Sequence, residues 1–163
     1  MTAPTNTAPA QTPTLRSATP GDLAAVERLL TASALPLDGV AAALPTFVVA
    51  EAGGALVGVA GLEVCRDHAL LRSVAVAPEW RGRHLGRALV TRVIADAEAR
   101  GIRALYLLTT TAEGYFPSFG FERTTRDAVP EDIRTTAEFQ SACPASAVVM
   151  ARRVAPSTAA VDA

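Results

Sequence analysis

Residues 69–77 read ALLRSVAVA, an apolar run with the make-up of a buried strand. Directly after it, Pro78-Glu79-Trp80-Arg81-Gly82-Arg83-His84 is a short basic turn. Leu85, Ala88, Leu89, Val93 and Ala97 then recur at helical spacing, which predicts a helix over about 85–100 with Gly101 ending it. Residues 102–109 form a second apolar run. Strand, helix and strand in that order make a β-α-β unit, whose strands run parallel and whose crossover is right-handed. Parallel strands need helices packed on their faces. The unit therefore commits the chain to an α/β class, with a mixed α+β sheet as its broader form.

The other elements fit around that unit. A short strand is expected near 15–17. Thr19-Pro20-Gly21-Asp22 reads as a helix start, followed by Leu23, Val26 and Leu30 at helical spacing. Residues 39–44 are a short helix or a loop. Residues 46–51 and 55–64 are β-rich and joined through Gly53-Gly54, a hairpin signal. Cys65-Arg66-Asp67-His68 is a second tight connection, into the 69–77 strand. Residues 112–119 are expected as a short helix closed by Gly120, and 121–124 and 146–154 as a final strand pair. Between those two lies an insert with a helix starting at Pro130.

With 163 residues the chain suits one domain, expected over 14–154. Residues 1–13 are Thr, Pro and Ala with nothing to bury, and read as a disordered lead-in; 155–163 read as a flexible tail. A net charge of -1 and 5% aromatic residues offer no basic, aromatic-rich face for nucleic acid. All the basic residues are arginine, which in so alanine-rich a chain reflects coding composition more simply than function. No apolar run approaches the ~20 residues of a membrane span. No secretory leader is legible, so the cytoplasm is the expected compartment. Cys65 and Cys143 are too few for a disulfide framework, and His68 and His84 are not spaced with them as a metal site requires.

The chemistry concentrates in the strand-turn-helix corner. A helix start presents unpaired backbone N–H groups and the positive end of its dipole, and such a site binds phosphate. Gly82 and Gly86 allow close backbone approach, while Arg81, Arg83, His84 and Arg87 add positive charge. A diphosphate-bearing ligand follows. Neither the dinucleotide glycine pattern nor the P-loop pattern, which needs a lysine, is present.

This corner resembles the acetyl-CoA motif of the GNAT superfamily. That motif is Gln or Arg, two residues, Gly, one residue, then Gly or Ala, and here it reads Arg81-Gly82-Arg83-His84-Leu85-Gly86. The segment AEGYFPSFGF, residues 112–121, resembles the family's aromatic helix ending in Gly-Phe. The runs LRSVAVAPEWRGR, LYLLTTTAEGYF and AEFQSACPASAVVMAR further resemble an arsenic-resistance-associated branch. The resemblance implies a GNAT-like fold in which the 69–77 strand splays from the parallel 102–109 strand. It implies acetyl-CoA as acyl donor, with no metal. The backbone of Val74, Ala75 and Val76 would pair with the pantetheine arm, and the Val74 amide would face the thioester carbonyl. Amides of Arg81, Gly82, Arg83, His84, Leu85, Gly86 and Arg87 would hold the pyrophosphate.

The sequence departs from the family pattern in three places. His84 stands where glycine is usual. Phe116 stands where the family has the tyrosine that protonates the departing thiolate, which leaves Tyr115 as substitute acid; Thr109 likewise replaces an asparagine. Leu70 stands where some members carry a glutamate base. If 65–68 is a four-residue turn, positions 63 and 70 face each other, and Glu63 shares a face with Leu70, Arg72 and Val74. Glu63 could then accept the amine proton and Arg72 grip a substrate carboxylate, or the two could form an ion pair with no chemistry. The insert over 125–144, with Ile133, Ala137 and Phe139 packing it down, is expected to wall the acceptor pocket. Cys143 at its end reads as a packed thiol.

The expected activity is direct acetyl transfer, in a ternary complex, to a primary amine of a small amino-acid-like or toxic molecule. The alternatives are a protein N-acetyltransferase, or a degenerate relative that binds CoA or an effector without turnover. Relatives of this kind often dimerise, so a homodimer is a further expectation.

Overall fold

The computed structural model describes residues 12–110, 112–136, 138–142 and 147–154. The expected lead-in, apart from Thr12 and Pro13, the expected tail, Ala137 and Cys143 lie outside the described residues. Seven strands form one sheet in the order β1-β2-β3-β4-β5-β7-β6. They are β1 (Thr14–Ser17), β2 (Phe47–Ala52), β3 (Ala55–Cys65), β4 (His68–Val76), β5 (Ala104–Thr109), β6 (Glu122–Thr124) and β7 (Val148–Arg153). β4 and β5 run parallel, and every other neighbouring pair is antiparallel.

Helices cover both faces, as parallel strands demand. Helix α3 (Leu85–Ala99) lays Leu85, Leu89, Val90, Val93 and Ala97 against Leu62, Ala69, Leu71, Leu105 and Leu107. A Cβ on Gly58 would come within 2.8 Å of Leu89 Cδ1, so β3 needs glycine there for α3 to approach. The opposite face has two parts. Helix α1 (Leu23–Ala32) and the short α2 (Val40–Ala43) bring Val26, Leu30 and Val40 to Phe47, Val49, Val59 and Ala75. The insert brings Ile133 of α4 (Glu131–Arg134), with Val129 and Phe139, to Leu70 and Val149. No helix among the described residues is long and apolar enough to cross a membrane.

Two differences from the expected elements bear on the site. Within 112–119 only Phe116–Phe119 is helical, a 3-10 turn closed by left-handed Gly120, with Tyr115 as its N-cap. Pro117 takes an early position there, where its missing N–H costs nothing. The second difference is in β4. Glu63 pairs with Leu70 as the four-residue turn requires, and Gly61 with Arg72, but the next matched pair is Val59 with Ala75. β4 thus carries one residue more than β3 across this step, a bulge at Ser73, whose φ is +60°. Each bulge reverses the side-chain alternation beyond it. Glu63, Leu70 and Arg72 do share a face, but Val74 does not join them; with Val76 it packs on the α3 side.

Candidate active site

β4 and β5 are matched only at His68–Ala104, Ala69–Leu105 and Leu70–Tyr106. Beyond Leu70 the two strands continue without pairing, to Val76 and Thr109. The parting opens a cleft of about 610 Å³ between them. Leu71–Val76 form one wall and Leu107–Thr110 the other; Gly86, Tyr115 and Phe116 lie at one end, and Leu35, Pro36 and Glu138 also line it. A larger groove of about 920 Å³ lies around Asp67, Arg103, Tyr106 and Arg153, away from the strand-turn-helix corner.

The donor end is built from backbone. His84 caps α3 in the left-handed conformation, φ +66° and ψ +17°, and its carbonyl accepts the first helical bond from Ala88 N–H at 3.1 Å. The N–H groups of Leu85, Gly86 and Arg87, in the first turn, have no partner within the helix. Gly82 is also left-handed, φ +78°, and a Cβ there would meet nothing within 4 Å, so that side of the turn is open. The arginines are positioned by partners. Arg81 Nε donates to Val76 O at 3.0 Å, and its side chain lines the cleft. Arg83 stacks over Trp80 at 4.8 Å. Arg87 lies over the Phe119 ring at 4.7 Å and donates to Ser118 Oγ at 3.0 Å. Ser73 and Val74 are matched in register with neither β3 nor β5.

The aromatic end closes over this corner. Phe116 is buried in the main core. Tyr115 packs edge-on against Phe116 and Phe119, each at 5.2 Å. Its hydroxyl would lie 3.3 Å from a Cβ on Gly86, which places it over the first turn of α3. Burial raises the Tyr115 hydroxyl above the ordinary phenol value, against an opposing effect of Arg87, so it holds its proton at neutral pH. Thr109 Oγ1 accepts from Ala112 N–H at 2.9 Å and thereby fixes the turn that leads to Tyr115.

The acceptor end is built from charge. The Arg72 side chain is fully buried. Its Nη1 donates to Glu63 Oε1 at 3.0 Å, so the expected ion pair is present. Its Nε lies 3.2 Å from Glu138 Oε1 and donates to Ser73 Oγ at 3.0 Å, while its buried Nη2 has no partner among the described residues. Glu138, 4% exposed, is the residue that sequence reasoning missed. Burial pushes its carboxyl up to about 7; Arg72 opposes that rise, while Glu63 and Asp38 add to it. Glu63 is not among the residues that line the cleft. Cys65 is half-buried, and burial pushes its thiol up to about 11, a protonated and unreactive form.

The family model described as Acetyltransferase (GNAT) family matches residues 22–121. The chain belongs to the GNAT acetyltransferase family. An amino-acid acetyltransferase of Ralstonia nicotianae is 33% identical over 99 residues, which is 60% of this chain and 22% of that protein. The chain thus spans about a fifth of the length of the curated relatives it matches first. Among solved structures, N-acetylglutamate synthase of Neisseria gonorrhoeae, complexed with coenzyme A and N-acetyl-glutamate, superposes with a TM-score of 0.76. That match is 24% identical and covers 88% of this chain and 35% of that one, so it speaks for the fold. Rv2747 of Mycobacterium tuberculosis, solved in complex with CoA, is 26% identical with a TM-score of 0.71, covering 88% of this chain and 100% of that one.

A CoA-type donor fits this GNAT domain on its own geometry. The cleft leaves the β4 edge at Ser73 and Val74 out of register with either neighbour, available to an extended arm. The open turn at Gly82 and the α3 N-terminus suit a diphosphate. On that side the sequence named the residues of the turn and of the β4 edge, but not Ser118, which holds Arg87. On the other side it named Arg72 and Glu63 but not Glu138 or the strained Ser73. The sequence signals for Glu138 were its place in an overlong insert and in the run AEFQSACPASAVVMAR, neither of which marks it as a site residue.

Proposed function

We propose that this chain is an acetyl-CoA-dependent N-acetyltransferase that acts on a primary amine of a small, amino-acid-like molecule by direct transfer. One observation carries the reading: a single cleft joins a diphosphate-type corner at the α3 N-terminus to a buried carboxylate–guanidinium cluster. The bound donor would supply an activated acetyl group. Amides of residues 81–87 would hold its diphosphate, and Val74, Ala75 and Val76 would line its arm. The Val74 N–H would receive the negative charge that develops on the carbonyl oxygen, which is the largest single aid in acyl transfer. Tyr115, protonated and placed over the first turn of α3, would give the departing sulfur its proton.

The acceptor class rests on charge. Nη2 of Arg72, without a partner among the described residues, would gain one from an acceptor carboxylate, and the carboxylates around Arg72 favour a cationic amine. The amino-acid acetyltransferase among the relatives supports the same class. The test is a mass-shift screen with purified protein, acetyl-CoA and an amine panel. The panel holds the amino acids, glutamine-like toxins with arsenical amines among them, and an alanine-ended peptide. Transfer to a free amino acid supports the reading, and transfer confined to the peptide replaces it with a protein N-acetyltransferase. Placement in the arsenic-resistance branch rests on transfer to an arsenical amine.

A second reading is favoured by His84 and Phe116, which stand where the family pattern that the sequence resembles has glycine and tyrosine. In it the domain binds CoA or an effector as a sensor. CoA retained in native mass spectrometry, with no transfer across the panel, would establish it. The donor implies a cytoplasmic setting, and sedimentation of the purified chain tests the homodimer.

A further inference from the structure

Resting on the transferase reading above, we propose that Glu138 is the group that takes the proton from the acceptor amine, and that Arg72 and Ser73 are its positioning residues. Glu138 lines the cleft together with Ser73 and Val74, whereas Glu63 does not. One nitrogen ties the arrangement together. Arg72 Nε lies 3.2 Å from the Glu138 carboxylate and donates to Ser73 Oγ at 3.0 Å. Ser73 adjoins Val74, whose N–H is the oxyanion donor of the proposed function. The carboxylate and that residue line the same cleft, linked through Arg72 and Ser73.

Ion pairing alone does not account for Glu138. Arg72 already has a partner in Glu63 at 3.0 Å. A second carboxylate, with its side chain 6% exposed, is desolvated at a cost that one shared guanidinium offsets only in part. Surplus buried carboxylates of this kind cluster at sites of proton transfer. The charged groups facing it are Arg72 from β4, Glu63 from β3 and Asp38 from the segment before α2; Arg81 and Tyr115 line the same cleft. Burial and the two carboxylates outweigh Arg72 and push Glu138 up to about 7, close to a working pH.

The balance is simple. An ammonium gives one proton to the Glu138 carboxylate, which frees the lone pair on nitrogen. The N–C bond forms with that pair, and the C–S bond breaks with its pair leaving on sulfur. The second proton lost by nitrogen replaces the one that sulfur receives, and Glu138 returns its own proton to solvent.

The test compares wild type, Glu138→Gln and Glu63→Gln on the best acceptor of the amine panel, over pH 5.5 to ~9. Wild type should show kcat/KM rising through about pH 7. Glu138→Gln should lose about 100-fold or more in kcat and lose that limb, while KM for acetyl-CoA stays within about twofold. Glu63→Gln should keep the limb. A Glu138→Gln protein with wild-type kcat and an intact limb overturns the assignment and leaves the transferase reading standing. No transfer by wild type overturns both. If Glu138→Gln does not fold, Glu63→Gln decides: a retained limb supports Glu138, and a lost limb moves the base to Glu63.

Discussion

The two ends of the cleft are made of different materials. The donor end is peptide backbone: parted strands, a bulge and the first turn of α3. Its side chains position the loop and keep the charge local. The acceptor end is two carboxyl groups, Glu63 from β3 and Glu138 from the insert, gathered around the guanidinium of Arg72 on β4. Backbone sites tolerate side-chain change as long as the conformation survives. A buried charge cluster tolerates almost none, because each member satisfies the others. Substitutions should therefore separate the two ends by the kind of damage they cause as well as by its size.

The largest effect expected is on the charged end. Arg72→Ala leaves Glu63 and Glu138 without their shared cation and should destabilise the fold by about 3–5 kcal/mol, read by urea denaturation. The sign of the pH dependence follows from Glu138. A carboxyl whose folded pKa is raised from 4.5 to about 7 adds stability that is fully present below the unfolded value. That stability is lost as pH rises through about 7. Removing Arg72 raises this carboxyl further, so the variant should lose more stability relative to wild type at pH 8 than at pH 5.5. A pH-independent loss would mean that Arg72 acts by packing alone.

Next in size is Tyr115→Phe, which tests whether the donor end needs any side chain at all. If Tyr115 supplies the sulfur's proton, kcat falls about 100-fold while KM for acetyl-CoA holds. Stability should change by less than about 1 kcal/mol, because the ring contacts with Phe116 and Phe119 remain. An unchanged kcat would make the ring a packing element and the donor end purely backbone.

The same contrast explains what the sequence revealed. The strand, basic turn and helix were legible because each is written locally, in an apolar run, a glycine and a helical period. The pairing of Glu63 with Leu70 followed from counting across a four-residue turn. The face of Val74 did not, since nothing in Arg72-Ser73-Val74 announces that Ser73 takes a left-handed φ. Left-handed serine is a local cost that tertiary structure imposes. Glu138 was out of reach for another reason. It meets Arg72 across most of the second half of the chain, and that meeting depends on how Ile133 and Phe139 seat the insert on Leu70.

Gly86→Ala sharpens the donor side. Alanine inside a helix is favoured over glycine by up to about 1 kcal/mol, so thermal stability should rise slightly. Its new Cβ would stand 3.3 Å from the Tyr115 hydroxyl, tighter than ordinary contact. If that hydroxyl takes part in transfer, kcat falls several-fold although the protein is more stable. A fall in kcat with KM for acetyl-CoA unchanged would assign the hydroxyl to the chemistry, whereas a raised KM would mean that the new Cβ crowds the diphosphate cradle.

The smallest effect expected is at His84, and it bears directly on whether the donor end is backbone alone. A non-glycine residue held left-handed costs about 1 kcal/mol, less for histidine than for a branched residue. Glycine would remove that strain but lose more chain entropy on folding, so His84→Gly should leave stability within about 0.5 kcal/mol of wild type. Donor affinity is then the informative quantity. The imidazole is exposed at the α3 N-terminus, within reach of a diphosphate held by the turn. If the peptide nitrogens do all the gripping, Kd for CoA by calorimetry is unchanged or slightly lower in His84→Gly, because the cradle relaxes. If the ring donates to a phosphate oxygen, Kd for CoA rises several-fold in His84→Gly. The first result keeps the contrast between the two ends intact; the second puts a side-chain donor into the end described here as backbone.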